Sequence, residues 1–103
     1  MMRLLFLRLF PLLKFRISGP SMLPTYKQGD RILVCPWMRH IEMNDIIALF
    51  APESDRVMIK RVTKKQGSLF FVEGDNKQES TDSRVFGMIG KDRVLGRVIY
   101  RFS

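Results

Sequence analysis

Three short stretches carry side chains whose types and spacing could do chemistry. The first is Gly19-Pro20-Ser21-Met22-Leu23-Pro24-Thr25. Pro20 and Pro24 fix φ on either side of Ser21, and Gly19 lets the backbone come close to another group. A hydroxyl held in so restricted a turn has a defined direction, which a nucleophile needs. The second is Arg56 to Thr63, RVMIKRVT. Side chains alternate along a strand, so Met58, Lys60 and Val62 share one face while Val57, Ile59, Arg61 and Thr63 share the other. Lys60 therefore points with two apolar neighbours, and desolvation lowers the pKa of such an amine. A lysine base working near neutral pH needs a pKa of roughly 7–8 against an ordinary value of about 10.4, a shift of about 4 kcal/mol. The third is Gly74 to Gly87, GDNKQESTDSRVFG. It holds Asp75, Asn76, Ser80, Thr81, Asp82, Ser83 and Arg84. Ser80 offers a hydroxyl to orient an amine, and Asp82 with Arg84 can brace it.

Each stretch alone has an ordinary reading. Ser21 is then a turn serine bonded to its own backbone. Lys60 is an edge-strand lysine whose head reaches water. The polar loop is a solvated tip. It is not a calcium loop, because it lacks Asp or Asn at positions 1, 3 and 5 with a closing Glu at 12. Together the three reverse that weighting, since an oriented hydroxyl, a desolvated amine and a bracing loop are the parts of one nucleophile-base-orienter set.

The elements that must position these groups read as short strands. Lys14 to Ser18 leads into the serine turn, and Tyr26 to Asp30 is a turn punctuated by Gly29-Asp30. Asp30 to Pro36 is a strand stopped by Pro36, and Trp37 to Asn44 is a polar connection. Asp45 to Phe50 is a buried strand, followed by the Arg56 to Thr63 strand. Lys64 to Gly67 is a turn, Ser68 to Val72 a strand, Gly74 to Phe86 a long loop, and Leu95 to Phe102 a closing strand. Strands at this spacing without a helical period argue for an all-β barrel or sandwich. Residues 14–103 read as one domain behind a short apolar-basic segment, 1–13.

The 103 residues leave room for one modest core. An apolar fraction of 46% marks a folded chain. The net charge of +8 favours an anionic partner, either nucleic acid or an anionic membrane surface. Cys35 is the only cysteine, so no internal disulfide and no multi-cysteine metal site is available, and packing in the core is its expected fate. His40 is the only histidine, which removes a Ser-His-Asp triad built elsewhere. It lies in a polar run beside Arg39 and Glu42 and reads as an exposed loop residue. Met1 to Leu13, MMRLLFLRLFPLL, is shorter than the about 20 residues of a spanning helix and lacks the small-residue end of a signal-peptide core. It suits the headgroup region, with Arg3, Arg8, Lys14 and Arg16 against anionic lipid. It also suits packing on its own domain. The expected location is membrane-associated or cytoplasmic, with no full transmembrane helix.

GPSMLPT followed by GDRILV, then IKRV around Lys60, then GDNKQESTDSRVFG followed by LGRV, resemble in that order the signal peptidase I family of Ser–Lys leader peptidases. The resemblance covers about residues 15–101. Its compactness and the STDSR form look most like the small nickel-type superoxide dismutase maturation proteases; the mitochondrial inner-membrane proteases are similarly compact. The resemblance implies a compact β-barrel of the signal-peptidase and LexA kind, with mostly antiparallel strands and a long polar loop. It implies Ser21 as nucleophile and Lys60 as general base. Ser80 would orient the amine, Asp82 and Arg84 would brace the loop with Arg61 nearby, and the Ser21 backbone N–H would serve an oxyanion hole. Some relatives add a serine two residues before the nucleophile; here that position is Gly19, and Ser18 is one residue too early. The family's proline-glycine-aspartate turn after the lysine box is missing from KRVTKKQG.

The implied activity removes an amino-terminal leader from a precursor protein, nickel superoxide dismutase among the candidates. No cofactor or metal is required, and no nucleic acid is expected as partner. Three other readings compete. A LexA-type self-cleaving domain would need a DNA-binding segment and a cleavage site, and neither stands before Ser21. A non-catalytic basic β-barrel would bind nucleic acid with steep salt dependence. A degenerate family member would bind leaders without cutting them.

Overall fold

The computed structural model describes residues 11–38 and 40–102. Most of the membrane-contacting segment expected above, up to Phe10, lies outside the described residues.

The strands are β1 (Leu13–Arg16), β2 (Arg31–Cys35), β3 (Ile46–Phe50), β4 (Val57–Gln66), β5 (Leu69–Glu73), β6 (Ile89–Gly90) and β7 (Val94–Phe102). They form one sheet in the order β1-β2-β7-β3-β4-β5-β6, and every pairing is antiparallel. The sheet curls into a half-barrel, so the all-β architecture expected from the strand spacing is the one observed. A single helical turn, α1 (Ser83–Phe86), and two short 3-10 turns complete the described residues.

Period-two alternation divides the core into two clusters. Ile47 and Leu49 of β3 join Met58, Val62, Phe70 and Val72 in one. Ala48, between them in sequence, joins Ile32, Val34, Met22 and Tyr26 in the other. Burying each large aliphatic side chain contributes roughly 1.5–3 kcal/mol. Together they fix the sheet whose middle carries Lys60, opposite Ile47 of β3. Cys35 is buried in this interior.

Two local differences from the sequence reading have physical causes. Lys64 to Gln66 continue β4 instead of turning, because an irregularity between Val62 and Lys64 shifts the register and lets the strand run on to a tight turn at Gly67. The expected long loop contains α1, a turn too short to show a helical period. Asp82 caps it, accepting from the Arg84 backbone N–H at 3.2 Å, and Gly87 ends it at φ +83°.

Candidate active site

Lys60 is placed by alternation on β4. Met58, Lys60 and Val62 are all buried, while Ile59 and Arg61 between them are only partly so. The lysine is 4% exposed. Burial drives its pKa below the ordinary lysine value. Asp82 opposes that shift, and the positive charges of Arg56 and Arg84 add to it. Its amine donates to Ser80 Oγ at 3.0 Å, and Ser80 Oγ donates to Asp82 Oδ2 at 2.7 Å.

Asp82 is completely buried. Burial alone would raise its pKa, but the bonds it accepts outweigh this and hold the carboxyl below the usual carboxylate range. Those bonds come from Arg84 Nε at 2.9 Å, from the Gly74 backbone N–H at 2.8 Å and from Ser80. Arg84 also donates to the Lys77 carbonyl at 2.7 Å. The Asp82/Arg84 pair thus closes the polar loop on itself and presents Ser80 to the amine. Ser83, the next residue, accepts from the Val72 N–H at 2.8 Å and ties α1 to β5.

The serine turn is fixed against the same loop. Gly19 sits at φ +86°, where a side chain would be strained. The Asn76 backbone N–H donates to the Ser21 carbonyl at 2.8 Å, and Asn76 Nδ2 donates to the Pro20 carbonyl at 3.1 Å. Thr25 Oγ1 donates to Asp75 Oδ2. Arg61 grips Asp75 with two bonds of 2.9 Å and reaches the Asn44 carbonyl at 2.9 Å. Arg61 therefore braces the loop through Asp75, on the opposite face of β4 from Lys60, and not through the Asp82/Arg84 pair. Gly74 lies where these parts converge. A Cβ there would stand 2.6 Å from the Ser21 carbonyl oxygen and 2.2 Å from Ser80 Oγ. Only glycine lets the serine turn and the orienting serine approach this closely.

Ser21 and Lys60 line one cleft of about 310 Å³. Phe15 to Ser18 and Met22, from β1 and the serine turn, also line it, as do Arg56 to Ile59 at the start of β4 and Thr81 of the loop. Ser18, set aside as one residue too early, lies in that cleft. Asn76, Thr25 and Gly74 are positioning residues that sequence reasoning did not single out. For Asn76 and Gly74 the only signal was that a polar loop of this length needs bonds to hold it, and Thr25 closed the serine stretch with no role assigned. His40 is apart from the cleft, with its side chain 81% exposed and paired with Glu42. Among the described residues, no group of three or more His, Cys, Asp or Glu could hold a metal ion.

A hydroxyl turn pinned to a loop and a dry amine oriented by a second hydroxyl define a site suited to acyl transfer. The family model described as Peptidase S24-like matches residues 9–99, and the chain belongs to that family. The chain is 33% identical over 108 residues to human mitochondrial inner membrane protease subunit 1, covering 82% of this chain and 65% of that protein. It is 27% identical over 145 residues to a probable signal peptidase I-1 of Synechocystis, covering 88% of this chain and 74% of the other. A shorter match, 48% over 33 residues, links it to signal peptidase IB of Staphylococcus aureus, covering 32% of this chain and 17% of that one. These relatives support the resemblance to the signal peptidase I family. The chain spans 65% of the length of the human relative.

No helix among the described residues is long and apolar enough to cross a membrane.

Proposed function

We propose that this chain is a serine endopeptidase with a Ser21–Lys60 dyad that removes an amino-terminal leader from a precursor protein. The observation that carries the reading is the buried Lys60 amine, bonded to Ser80 and sharing a cleft with Ser21. Neutral Lys60 takes the Ser21 proton as Ser21 Oγ attacks a substrate carbonyl carbon. The Ser21 backbone N–H donates to the oxyanion that forms. Protonated Lys60 then gives its proton to the departing amine, leaving an ester on Ser21. Water, deprotonated by the same lysine, hydrolyses that ester. Ser80 keeps the amine aimed, while Asp82, Arg84 and, through Asp75, Arg61 keep the loop in place.

The substrate is an extended leader segment lying in the cleft. The compact form and the STDSR motif favour the precursor of nickel superoxide dismutase. Contact with an anionic membrane is also part of the reading. Lys14 and Arg31 lie 5.8 and 4.8 Å from the centre of the Phe102 ring, and Tyr100 beside it is 61% exposed. An aromatic ring flanked by two cations, with an exposed tyrosine beside it, suits the headgroup layer.

The test is incubation of purified protein with candidate precursors, reading any new amino terminus by mass spectrometry. Cleavage at one site is expected, and Ser21→Ala and Lys60→Ala should each abolish it with the fold retained. Full cleavage by either variant removes the dyad. Salt-sensitive nucleic-acid binding without cleavage would instead favour the non-catalytic barrel.

A further inference from the structure

The cleft is charged on one sign only. Arg16, at the end of β1, and Arg56, just before β4, both line it, and among the described residues no carboxylate does. Arg56 is bound only loosely to its own chain. Its partner is Glu53 at 3.3 Å, and both side chains are nearly two-thirds exposed. Such a pair is worth little and exchanges readily. Arg16 is exposed and makes no ion pair among the described residues. Arg56, Met58 and Lys60 alternate onto one face of the chain. Arg56 is four positions from Lys60, about 13 Å along an extended strand. A substrate strand laid along β4 advances at the same rate per residue. Its side chain about four residues from the scissile bond therefore arrives beside Arg56, in a cleft that Arg16 also lines.

We infer that Arg16 and Arg56 make this cleft select a leader segment with an Asp or Glu about four residues from the cut. The inference rests on the peptidase reading for the place of the cut, but the charge preference belongs to the cleft itself. A carboxylate entering there displaces Glu53 from Arg56 and gains a second cation in Arg16. A lysine at that position meets two like charges. The apolar walls, Phe15, Ile17, Val57 and Ile59, take the neighbouring side chains.

The experiment is a Glu, Gln and Lys scan through a fluorescein-labelled leader peptide. Binding is read by fluorescence anisotropy with Ser21→Ala protein, and cleavage separately with the unsubstituted protein. Glu at one position is expected to bind about fivefold more tightly than Gln, with Lys weaker than either. The preference should vanish in an Arg16→Gln/Arg56→Gln double variant and shrink in high salt. It should grow in Glu53→Gln. Equal binding of Glu and Gln peptides at every position, or a preference that survives the double variant, overturns the inference. Cleavage of the Gln peptides with no Glu preference overturns the inference alone. A Glu preference in binding without any cleavage overturns the peptidase reading and leaves the cleft's selectivity standing. Absence of binding by every peptide overturns both.

Discussion

Replacing Lys60 by Met should abolish cleavage yet stabilise the protein, and the gain should depend on pH in a set direction. Lys60 is 4% exposed between Met58 and Val62, so methionine fills its space with similar volume. The substitution loses one hydrogen bond, that to Ser80 Oγ, worth about 1 kcal/mol. Ser80 keeps its bond to Asp82. Asp82 keeps Arg84 and Gly74, so no carboxylate is stranded. Against that loss stands the cost of burying an ammonium, several kcal/mol and only partly offset by Asp82. The net gain is about 1–2 kcal/mol below neutrality, or roughly 4–10 °C in Tm for a domain of this size.

Burial lowers the folded-state pKa of Lys60 below its unfolded value, so the unfolded chain holds more protons between the two values. Stability of the unsubstituted protein therefore rises with pH across that window, and the cost is greatest below the folded pKa. The advantage of Lys60→Met should accordingly shrink as pH climbs towards the ordinary lysine value. The assay is thermal or urea unfolding of both proteins from pH 6 to 10. A variant less stable than its parent at pH 6, or a difference that does not change with pH, refutes the claim that the amine is dry.

Three further perturbations bear on the support of the site. Ser80→Ala should lower kcat at least tenfold while shifting stability by only about 1 kcal/mol, since one orienting bond is lost at each end; steady-state kinetics with a melt distinguishes this from misfolding. Asp82→Ala should destabilise by about 3 kcal/mol, because the Gly74 N–H and the Ser80 hydroxyl lose their acceptor in a site closed to water; urea unfolding reads it, and a loss under 1 kcal/mol contradicts the loop's closure through Asp82. Gly74→Ala should cut activity more than it cuts stability, since the new methyl meets Ser80 Oγ and the Ser21 carbonyl; unchanged kcat/KM would show that the two loops separate without consequence.

The alternation that put Lys60 with Met58 and Val62 was legible in the sequence, because a strand's two faces follow from geometry alone. The same alternation turned Arg61 away from Lys60, but nothing in sequence said that its partner would be Asp75. That contact depends on sheet curl, which residue types do not record. Gly74 is only the first residue of the polar loop until the Ser21 carbonyl is seen where its side chain would be. Asn76 is polar among polar neighbours, and its grip on Pro20 and Ser21 joins residues more than fifty positions apart. Asp82 was legible as a brace but not as the cap of α1, a helix of one turn that leaves no period to detect. Local chemistry and strand phase were thus readable, whereas long-range contacts through backbone carbonyls were not.

The most direct measurement is the titration of the Lys60 amine itself, followed by nitrogen-15 NMR of lysine-labelled protein with Lys60→Met used to assign the resonance. The account predicts one amine that loses its proton well before the other lysines, and whose signal vanishes in the variant. An amine at position 60 that titrates together with the surface lysines would contradict it.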